Sequence, residues 1–345
     1  MKILLVKLSS LGDVVHTLPV VQDILAARPD AQIDWVVEAS FAPLLTPLLG
    51  SGLRNVIPCE LRRWRKSPFS PATRMAWRAF MRELQSQHYD AVIDLQGLTK
   101  SALVAWLARL APGGQRYAMA NQTEGSGYEA PTRWVADVAV TLAPHSHAVQ
   151  RGRALCARAL GYTPAALPDY GLNRAPALAG QAPAAPEIIA FVHGSSRADK
   201  LWPLENWLAL GRQLMAQGYH IALPHGSDAE LAMSQAIAAG LNGEEGDARA
   251  TVWPRLPLDT LTRQLAQCAG VIGVDSGLSH IAVALDLPHV QIYNFDTAWR
   301  TGPLPAAPDA SVARQLSVFA QPTPTVQAVV RAWQRCSSVP SDKAA

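Results

Sequence analysis

The 345-residue sequence lacks the features that mark several common classes of protein. Its four cysteines lie far apart and form no CxxC pair, which argues against a zinc site and is compatible with a reducing compartment. No run approaches about 18 uninterrupted apolar residues, so we expect no transmembrane helix. Because Met1 and Lys2 lead directly into an apolar strand pattern, with no small-residue cleavage site, we also expect no signal peptide.

Two familiar phosphate-binding motifs are missing as well. The sequence contains neither GxGxxG nor GxxxxGK(S/T), which disfavours a dinucleotide-dependent dehydrogenase and a P-loop NTPase. No DxD-like acidic pair follows a predicted strand, so we expect no essential metal and no cofactor. The net charge is only +3, which gives no reason to expect a nucleic-acid partner.

The composition is that of a globular protein with sizeable cores, since 49% of the residues are hydrophobic and 17% are charged. Continuous apolar runs alternate with helical patterns, which predicts an α/β fold whose parallel sheets are covered on both faces. Strands are predicted at 2–8, 32–38, 54–58, 90–95, 115–119, 187–193, 219–225, 250–253, 270–275 and 288–294. Helices are predicted at 14–27, 71–87, 98–110, 146–160, 204–216, 228–240, 258–267 and 277–285.

An Ala- and Pro-rich stretch at 173–187 divides these elements into two sets and is predicted to be a linker. We expect a Rossmann-like domain at 1–172, a second at 188–337 and a flexible tail at 338–345. The last helix is expected to pack back on the first domain. Two doubly wound domains would face a central cleft, with ligands at the carboxyl ends of the strands.

The clearest anion-binding pattern is VDSGLSH at 274–280. A predicted strand ends at Asp275, and Ser276 and Gly277 then leave free N–H groups at a helix N-terminus, where phosphate binds well. His280 lies one turn further along and can point the same way. The alternative is that Asp275 and Ser276 only cap the helix and that His280 packs in the core.

A second loop, at 191–203, also follows a predicted strand. It contains a glycine, two hydroxyls and two cations: Gly194, Ser195, Ser196, Arg197 and Lys200. That combination in one loop suits a diphosphate. The alternative is an ordinary polar surface loop.

The first half contains a turn of a different kind, KLSSLGDVVHTLP at 7–19. The turn has one glycine, Gly12, and an acid, Asp13, follows it. A carboxylate on a strand-to-helix turn suits a general base that is aimed into a cleft. The alternative is that Asp13 is the N-cap of a helix that begins at Val14, since Asp is among the best N-cap residues.

Positive charge is concentrated in the first half. Four cations surround Trp64: Arg62, Arg63, Arg65 and Lys66. Arg74, Arg78 and Arg82 then recur every four residues, which places them on one face of the predicted helix at 71–87. Such a stripe is usually a solvated helix face, but arginine forks also match carboxylates and phosphates.

Taken together, these motifs resemble the ADP-heptose:lipopolysaccharide heptosyltransferases, glycosyltransferase family 9. The resemblance runs from residue 1 to about residue 335 and rests on KLSSLGDVVHTLP, ELRRWRK, DLQGLTKSAL, HGSSRADKLWP and VDSGLSH, in this order. It implies a GT-B fold and an inverting transfer of L-glycero-D-manno-heptose from ADP-heptose to a Kdo residue of Kdo2-lipid A. It also implies a cytoplasmic protein of a Gram-negative bacterium that touches the anionic cytoplasmic face of the inner membrane.

The resemblance implies roles for individual residues. Asp13 would be the catalytic base, and Lys200 would neutralise charge on the departing ADP. The donor-binding residues would be Ser195, Ser196, Lys200, Glu230, Leu256, Asp275, Ser276, Gly277 and His280. The acceptor-binding residues would be Ser10, Gly12, Arg62, Arg63, Arg65, Lys66 and Lys100.

Glu230 and Leu256 would bind the nucleoside of the donor. Glu230 resembles the acid that holds the ribose hydroxyls, although a first-turn glutamate is also favoured by the helix dipole alone. Leu256 would pack near the adenine. After the strand at 288–294 the family tends to continue Gly-x-Thr-x-Pro, whereas this chain has Asn294 and Phe295. The resemblance therefore does not imply a donor contact from that loop.

Two other interpretations stay open on the sequence alone. The first is another GT-B nucleotide-sugar enzyme, either a transferase for a different donor or a non-hydrolysing epimerase. The second is a non-catalytic protein that binds a nucleotide or lipopolysaccharide.

Overall fold

The computed structural model of the protein describes residues 1–172, 187–243, 248–304 and 313–338. The chain forms two compact units, Met1–Leu172 and Asn173–Ala345. Each unit contains one six-stranded sheet whose neighbouring strands all run parallel. The predicted α/β fold class is therefore confirmed. The predicted linker, apart from Glu187, and the tail beyond residue 338 lie outside the described residues.

The first sheet has the strand order β3-β2-β1-β4-β5-β6. Its strands are β1 (Lys2–Val6), β2 (Gln32–Glu38), β3 (Asn55–Cys59), β4 (His88–Asp94), β5 (Arg109–Met119) and β6 (Val138–Val140). The helices of this unit are α1 (Leu11–Thr17), α2 (Pro19–Ala27), α3 (Ala42–Leu45), α4 (Leu61–Lys66), α5 (Pro71–Leu84), α6 (Thr99–Leu107), α7 (Pro131–Val135) and α8 (Ala148–Leu160). A 3₁₀ turn lies at Thr46–Leu48.

The second sheet has the strand order β12-β11-β10-β7-β8-β9. Its strands are β7 (Ile188–Val192), β8 (His220–Leu223), β9 (Ala250–Val252), β10 (Gly270–Val274), β11 (His289–Tyr293) and β12 (Gln315–Phe319). The described helices of this unit are α9 (Leu204–Ala216), α10 (Asp228–Leu241), α11 (Leu258–Ala266), α12 (Gly277–Ala284), α13 (Ala298–Thr301) and α14 (Val326–Ser337). A 3₁₀ turn lies at Ala198–Lys200.

Both sheets therefore share one topology, in which the first strand of the unit lies next to the fourth. From β1 the chain moves outward through β2 and β3 and then returns to the other side of β1 as β4. The second unit repeats this path from β7 to β10. In such sheets the loops at the carboxyl ends of the two central strands diverge, and ligands bind at that switch point.

The strands are apolar on both faces because helices cover both sides of each sheet. In β1, Ile3, Leu4, Leu5 and Val6 are all fully buried. The core of the second unit includes Trp202, Trp207 and Trp333, and the last of these belongs to α14. The buried face of this helix belongs to the core of the second unit. The expectation that the last helix packs back on the first domain stays a prediction.

One predicted helix, 14–27, is in fact two helices. The first begins earlier than predicted, at Leu11, because Ser10 takes the N-cap position. The second begins at Pro19, whose ring suits the first position of a new helix, since no N–H partner is needed there.

A second predicted helix, 98–110, ends early at Leu107, and β5 begins at Arg109. The strand carries two glycines, and a Cβ atom at Gly114 would lie 2.5 Å from the carbonyl oxygen of Tyr89 on β4. Close approach of two backbones explains why glycine stands there. The prediction gave no bounds for α14 and missed the short elements α3, α4, α7, α13, β6 and β12. Most of these are too short to show a clear periodicity.

Two expectations from composition concern the whole chain. Among the described helices, none is both long enough and apolar enough to cross a membrane. The four cysteines are all buried as free thiols.

The first unit contains a buried ion pair whose loss should be costly. Arg153 of α8 is 1% exposed and binds Asp23 of α2 through two hydrogen bonds of 2.6 and 2.8 Å. Arg153→Met should lower the free energy of unfolding by about 3–5 kcal/mol, because it leaves a buried carboxylate without its cation. Urea unfolding followed by circular dichroism measures this.

Arg263→Met is the matched control, since Arg263 pairs with Asp259 at 3.1 Å on the surface. That change should cost less than about 1 kcal/mol. Equal losses in the two variants would contradict the importance of burial.

Candidate active site

The turn after β1 holds Asp13 in a defined position. Asp13 is the third residue of α1, and its Oδ2 accepts hydrogen bonds from the backbone N–H of Ser10 at 3.0 Å and from the Ser10 hydroxyl at 2.9 Å. The peptide bond between Ser9 and Ser10 is cis. The N-cap of the helix is therefore Ser10, and the alternative in which Asp13 caps a helix from Val14 is wrong. Gly12 lies between them in the first turn.

A buried lysine, Lys7, forms an ion pair with Asp13. The ammonium group of Lys7 lies 3.7 Å from Asp13 Oδ1 and donates a hydrogen bond of 3.1 Å to the carbonyl oxygen of Leu95. Burial alone would raise the pKa of Asp13, but the charge of Lys7 and the hydrogen bonds from Ser10 outweigh it, so the pKa lies below its ordinary value. Asp13 is therefore ionised at neutral pH. Its side chain is 36% exposed, so a substrate group can reach it.

The turn after β4 holds the turn after β1 in place. Gln96 Oε1 accepts hydrogen bonds from the N–H groups of Leu8 and Ser9, both at 3.1 Å. Asp94, at the end of β4, accepts hydrogen bonds from the N–H groups of Gln96 and Gly97. Burial raises the pKa of Asp94 to about 6 even though these hydrogen bonds lower it. No site role was predicted for Gln96, Asp94 or Lys7.

Further polar residues collect at the same edge of the first sheet. Lys100, at the start of α6, donates a hydrogen bond of 2.9 Å to the Ser9 hydroxyl. Glu38, the last residue of β2, is buried, and burial raises its pKa although Lys100 and Arg62 both lower it. The structure thus brings Lys100 and Arg62 into the electrostatic surroundings of one buried acid. That acid was not predicted, because a single glutamate at a strand end carries no pattern.

The basic cluster lies on α4 and is anchored by its tryptophan. Trp64 is buried against Trp77 and Phe80 of α5, with ring centroids 5.6 and 5.4 Å away. The four cations of the cluster all point into solvent: Arg62, Arg63, Arg65 and Lys66. Arg63 contacts Glu60 at 3.1 Å in an exposed pair. The arginine stripe of α5 is likewise exposed, so the structure agrees with a solvated face and leaves these cations accessible to an anionic ligand.

The second unit also has a lysine–carboxylate pair at its switch point, but here the carboxylate is the more buried partner. Asp275 is buried at the end of β10, where its Oδ2 lies 2.5 Å from the ammonium of Lys200 and its Oδ1 lies 3.4 Å from Nε2 of His280. Burial alone would raise the pKa of Asp275, but His280 and Lys200 outweigh it and hold the pKa far below its ordinary value. The Ser195 hydroxyl donates to the Asp275 carbonyl at 3.4 Å.

The N-terminus of α12 begins directly beside this pair. Ser276 is the N-cap and Gly277 is the first helical residue. The Ser276 hydroxyl is buried, makes no capping hydrogen bond and has no partner among the residues that the structure describes. Asp275 is paired with Lys200 instead of capping the helix. A free hydroxyl beside free backbone N–H groups is the arrangement that an anion needs.

Glu230 lies against the loop that follows β7. It is the third residue of α10, and its Oε2 accepts a hydrogen bond of 2.6 Å from the N–H of Gly226. A Cβ atom at Gly194 would lie 2.6 Å from the Glu230 carboxyl group, so only glycine allows this approach. Leu256 is half-buried in the loop after β9, and Ser196 is exposed in the loop after β7.

Asn294 supports this site in a way that was not predicted. Its side-chain amide donates hydrogen bonds of 3.0 Å to the carbonyl oxygens of Asp199 and Leu201, one on each side of Lys200. Its Oδ1 accepts a hydrogen bond of 2.7 Å from the Thr323 hydroxyl. The departure from the family pattern at 294 therefore ties down the turn that carries Lys200.

Metal-ligating side chains do not cluster in threes anywhere in the described part of the chain. The expectation that the reaction needs no metal stays a prediction.

Two Rossmann-like units in one chain, the second with a buried N-cap hydroxyl and a helix N-terminus at its switch point, are typical of proteins that bind nucleotide-linked substrates. The sequence profile of glycosyltransferase family 9 (heptosyltransferase) matches residues 77–327. The chain belongs to this family and is a glycosyltransferase with a GT-B type fold.

Individual relatives agree with this assignment. Lipopolysaccharide heptosyltransferase 1 of Pseudomonas aeruginosa is 40% identical over 294 residues, which cover 85% of this chain and 78% of the relative. The structure of E. coli heptosyltransferase WaaC with ADP matches with a TM-score of 0.81 at 33% identity, covering 96% of this chain and 98% of that one. The structure of WaaC with ADP-2-deoxy-2-fluoro heptose matches with a TM-score of 0.77 at 34% identity, over the same shares.

The contact between Lys7 and Asp13 makes a prediction that does not depend on function. Lys7→Met should raise the pKa of Asp13, because the nearby positive charge is lost while the hydrogen bonds from Ser10 remain. Carbon-13 NMR titration of the Asp13 carboxyl group measures this. In the variant the carboxylate should take up its proton at a higher pH than in the wild type.

Lys2→Met is the control. Lys2 lies at the opposite end of β1 and donates its hydrogen bond to Gln87, so the pKa of Asp13 should not move. An unchanged pKa of Asp13 in a folded Lys7→Met variant would show that Lys7 does not hold the carboxylate ionised.

Proposed function

We propose that this enzyme transfers L-glycero-D-manno-heptose from ADP-heptose to a Kdo residue of Kdo2-lipid A, which is the reaction expected of a heptosyltransferase I. The main support is the likeness to lipopolysaccharide heptosyltransferase 1 over 85% of the chain. The RRWRK stretch at 62–66 also favours heptosyltransferase I over other members of the family. The transfer inverts the anomeric carbon and needs neither a metal nor a cofactor.

The donor binds to the second unit in this proposal. The Ser276 hydroxyl and the N-terminus of α12 hold the diphosphate, and Ser195 and Ser196 add hydrogen bonds. Lys200 keeps one donor on Asp275 and has two more for the phosphates, since an ammonium carries three N–H groups. Charge on the departing ADP grows as its bond to the sugar breaks, so Lys200 stabilises the transition state more than the bound donor.

The remaining donor contacts are those that the family resemblance implies, and their residues follow strands of the second sheet. Glu230, fixed by the N–H of Gly226, accepts hydrogen bonds from the ribose hydroxyls. Leu256 packs against the adenine. His280 and Asp275 hold Lys200 and the turn at the start of α12 in place.

The base is Asp13 of the first unit. The acceptor hydroxyl attacks the anomeric carbon, a new carbon–oxygen bond forms, and the bond to the diphosphate oxygen breaks, so that ADP leaves with the electron pair. The hydroxyl proton becomes acidic as the new bond forms and passes to Asp13. A carboxylate with a low pKa can accept this proton late in the step, and Lys7 keeps it ionised beforehand.

The acceptor binds to the first unit. Ser10 and Gly12 line the turn beside Asp13, and Lys100 lies next to Ser9. The cations of α4 bind the anionic groups of the acceptor: Arg62, Arg63, Arg65 and Lys66. The same surface adds weak contacts to the anionic cytoplasmic face of the inner membrane, where the protein works from the cytoplasm without a nucleic-acid partner.

Incubation with radiolabelled ADP-heptose and a Kdo-bearing acceptor tests the proposed reaction. We expect a labelled acceptor and free ADP in equal amounts. Transfer from a different nucleotide-sugar, or a change in the sugar without transfer, would instead favour another GT-B transferase or an epimerase. Binding of ADP without any turnover would favour a non-catalytic binding protein.

Asp13→Asn tests the base directly. The amide keeps an oxygen that can accept the Ser10 N–H, but it cannot take the acceptor proton. The turnover number should fall by about 10²–10⁴-fold, which is the usual contribution of a general base. The dissociation constant for ADP, measured by calorimetry, should stay the same, since the donor residues belong to the other unit. An equal loss of ADP affinity would mean that Asp13 supports the fold or the donor site.

A further inference from the structure

The surface of α4 and α5 contains a groove that no part of the proposed reaction uses. Its volume is about 310 Å³, at the lower end of the range of small-ligand pockets, about 300–1,000 Å³. The residues that line it come from both helices and from the segment between them: Trp64, Pro68, Thr73, Arg74, Trp77 and Arg78. All of them lie in the described part of the first unit.

The floor of the groove is aromatic and rigid. Trp77 packs edge-on against Trp64, with centroids 5.6 Å apart, and lies 5.7 Å from Phe80. Phe80 is buried in the core cluster of the first unit, so this aromatic group is fixed from below. A preformed apolar floor of this kind takes up hydrocarbon without an ordering cost on the protein side.

The rim of the groove is cationic. Arg74 and Arg78 line it and are exposed. Residues 61–82 contain seven cations and no acid: Arg62, Arg63, Arg65, Lys66, Arg74, Arg78 and Arg82. The two flanking acids, Glu60 and Glu83, offset only part of this charge, and Glu60 contacts Arg63. The segment therefore keeps a positive charge that complements a molecule with several negative groups.

Two large, exposed apolar side chains directly follow lining residues of the groove in the chain. Phe69 is 86% exposed and Met75 is 71% exposed, which makes them the two most exposed large apolar side chains of this segment. Exposed apolar side chains among clustered cations are the pattern of a surface that meets anionic lipid. A free phosphate or an anionic sugar without a hydrocarbon chain would satisfy the cations but would leave the aromatic floor without an apolar partner.

We propose that this groove binds part of an acyl chain of the anionic lipid that carries the acceptor sugar, while Arg74 and Arg78 contact its phosphate. This inference rests on the proposed function, because it takes the acceptor to be a glycolipid. It separates two parts of acceptor recognition. The cations of α4 bind the charged sugars, and the groove between α4 and α5 binds the lipid chain.

The test fills the groove without removing its floor. Thr73→Phe places a large side chain at a residue that lines the groove, while the backbone N–H of residue 73 can still donate to the N-cap Ser70. Ala72→Phe adds the same side chain to an exposed neighbour that does not line the groove. Two acceptors are compared: one keeps a single acyl chain and is used below its micelle-forming concentration, and the other has no acyl chain.

Wild-type enzyme should have a KM at least about tenfold lower for the acylated acceptor, equivalent to ~1.4 kcal/mol, or the burial of roughly two methylene groups. Thr73→Phe should raise the KM for the acylated acceptor to that of the chain-free one, without changing kcat or the KM of the chain-free acceptor. Ala72→Phe should behave like the wild type. Equal kinetics of wild type and Thr73→Phe on both acceptors would overturn the proposal.

Further outcomes distinguish failure of the groove proposal from failure of the proposed function and from binding to bilayer lipid. Failure of the wild type to extend either acceptor would refute the proposed function itself, whereas extension of both with equal KM would refute only the groove. Binding to phosphatidylglycerol vesicles without acceptor should be the same for wild type and Thr73→Phe. If Thr73→Phe weakened vesicle binding as much as acceptor binding, the groove would serve bilayer lipid and the proposal would be wrong.

Discussion

A lysine–carboxylate pair lies at the switch point of each sheet, and the two pairs expose opposite charges. In the first unit Lys7 is 5% exposed and Asp13 is 36% exposed, so the surface presents a carboxylate. In the second unit Asp275 is 5% exposed and Lys200 is 20% exposed, so the surface presents a cation. In each pair the opposite charge of the buried partner offsets the desolvation free energy of the more exposed, partly buried charge.

This opposition explains how one topology, used twice, supports two chemistries. The first turn after β1 has Ser10 and Asp13 bonded to each other at the start of α1, which leaves no room for an anion there. The turn after β10 leaves the Ser276 hydroxyl, at the start of α12, without a partner among the residues that the structure describes. In the proposed mechanism the proton acceptor therefore belongs to one unit, and the anion site belongs to the other.

The second constraint is the way in which loops from distant parts of the chain hold these charges. Gln96 binds the backbone of the turn after β1, and Asn294 binds the backbone on both sides of Lys200. Neither residue touches a reacting group in the proposed mechanism. Both side chains saturate backbone groups that would otherwise move, so they set the position of Asp13 and Lys200 with hydrogen bonds that span about 90 residues of chain.

The sequence by itself determined the α/β class, most strands and the ordered motifs of the family, because apolar runs and turn residues are local signals. It also marked Asp13, Lys200 and Ser276. Only the tertiary structure decided that Ser10 caps α1, that β5 starts at Arg109, and that Lys7, Glu38 and Asn294 belong to the sites. Those facts depend on which strands become neighbours, and contacts between residues far apart in the chain leave no periodic trace in it.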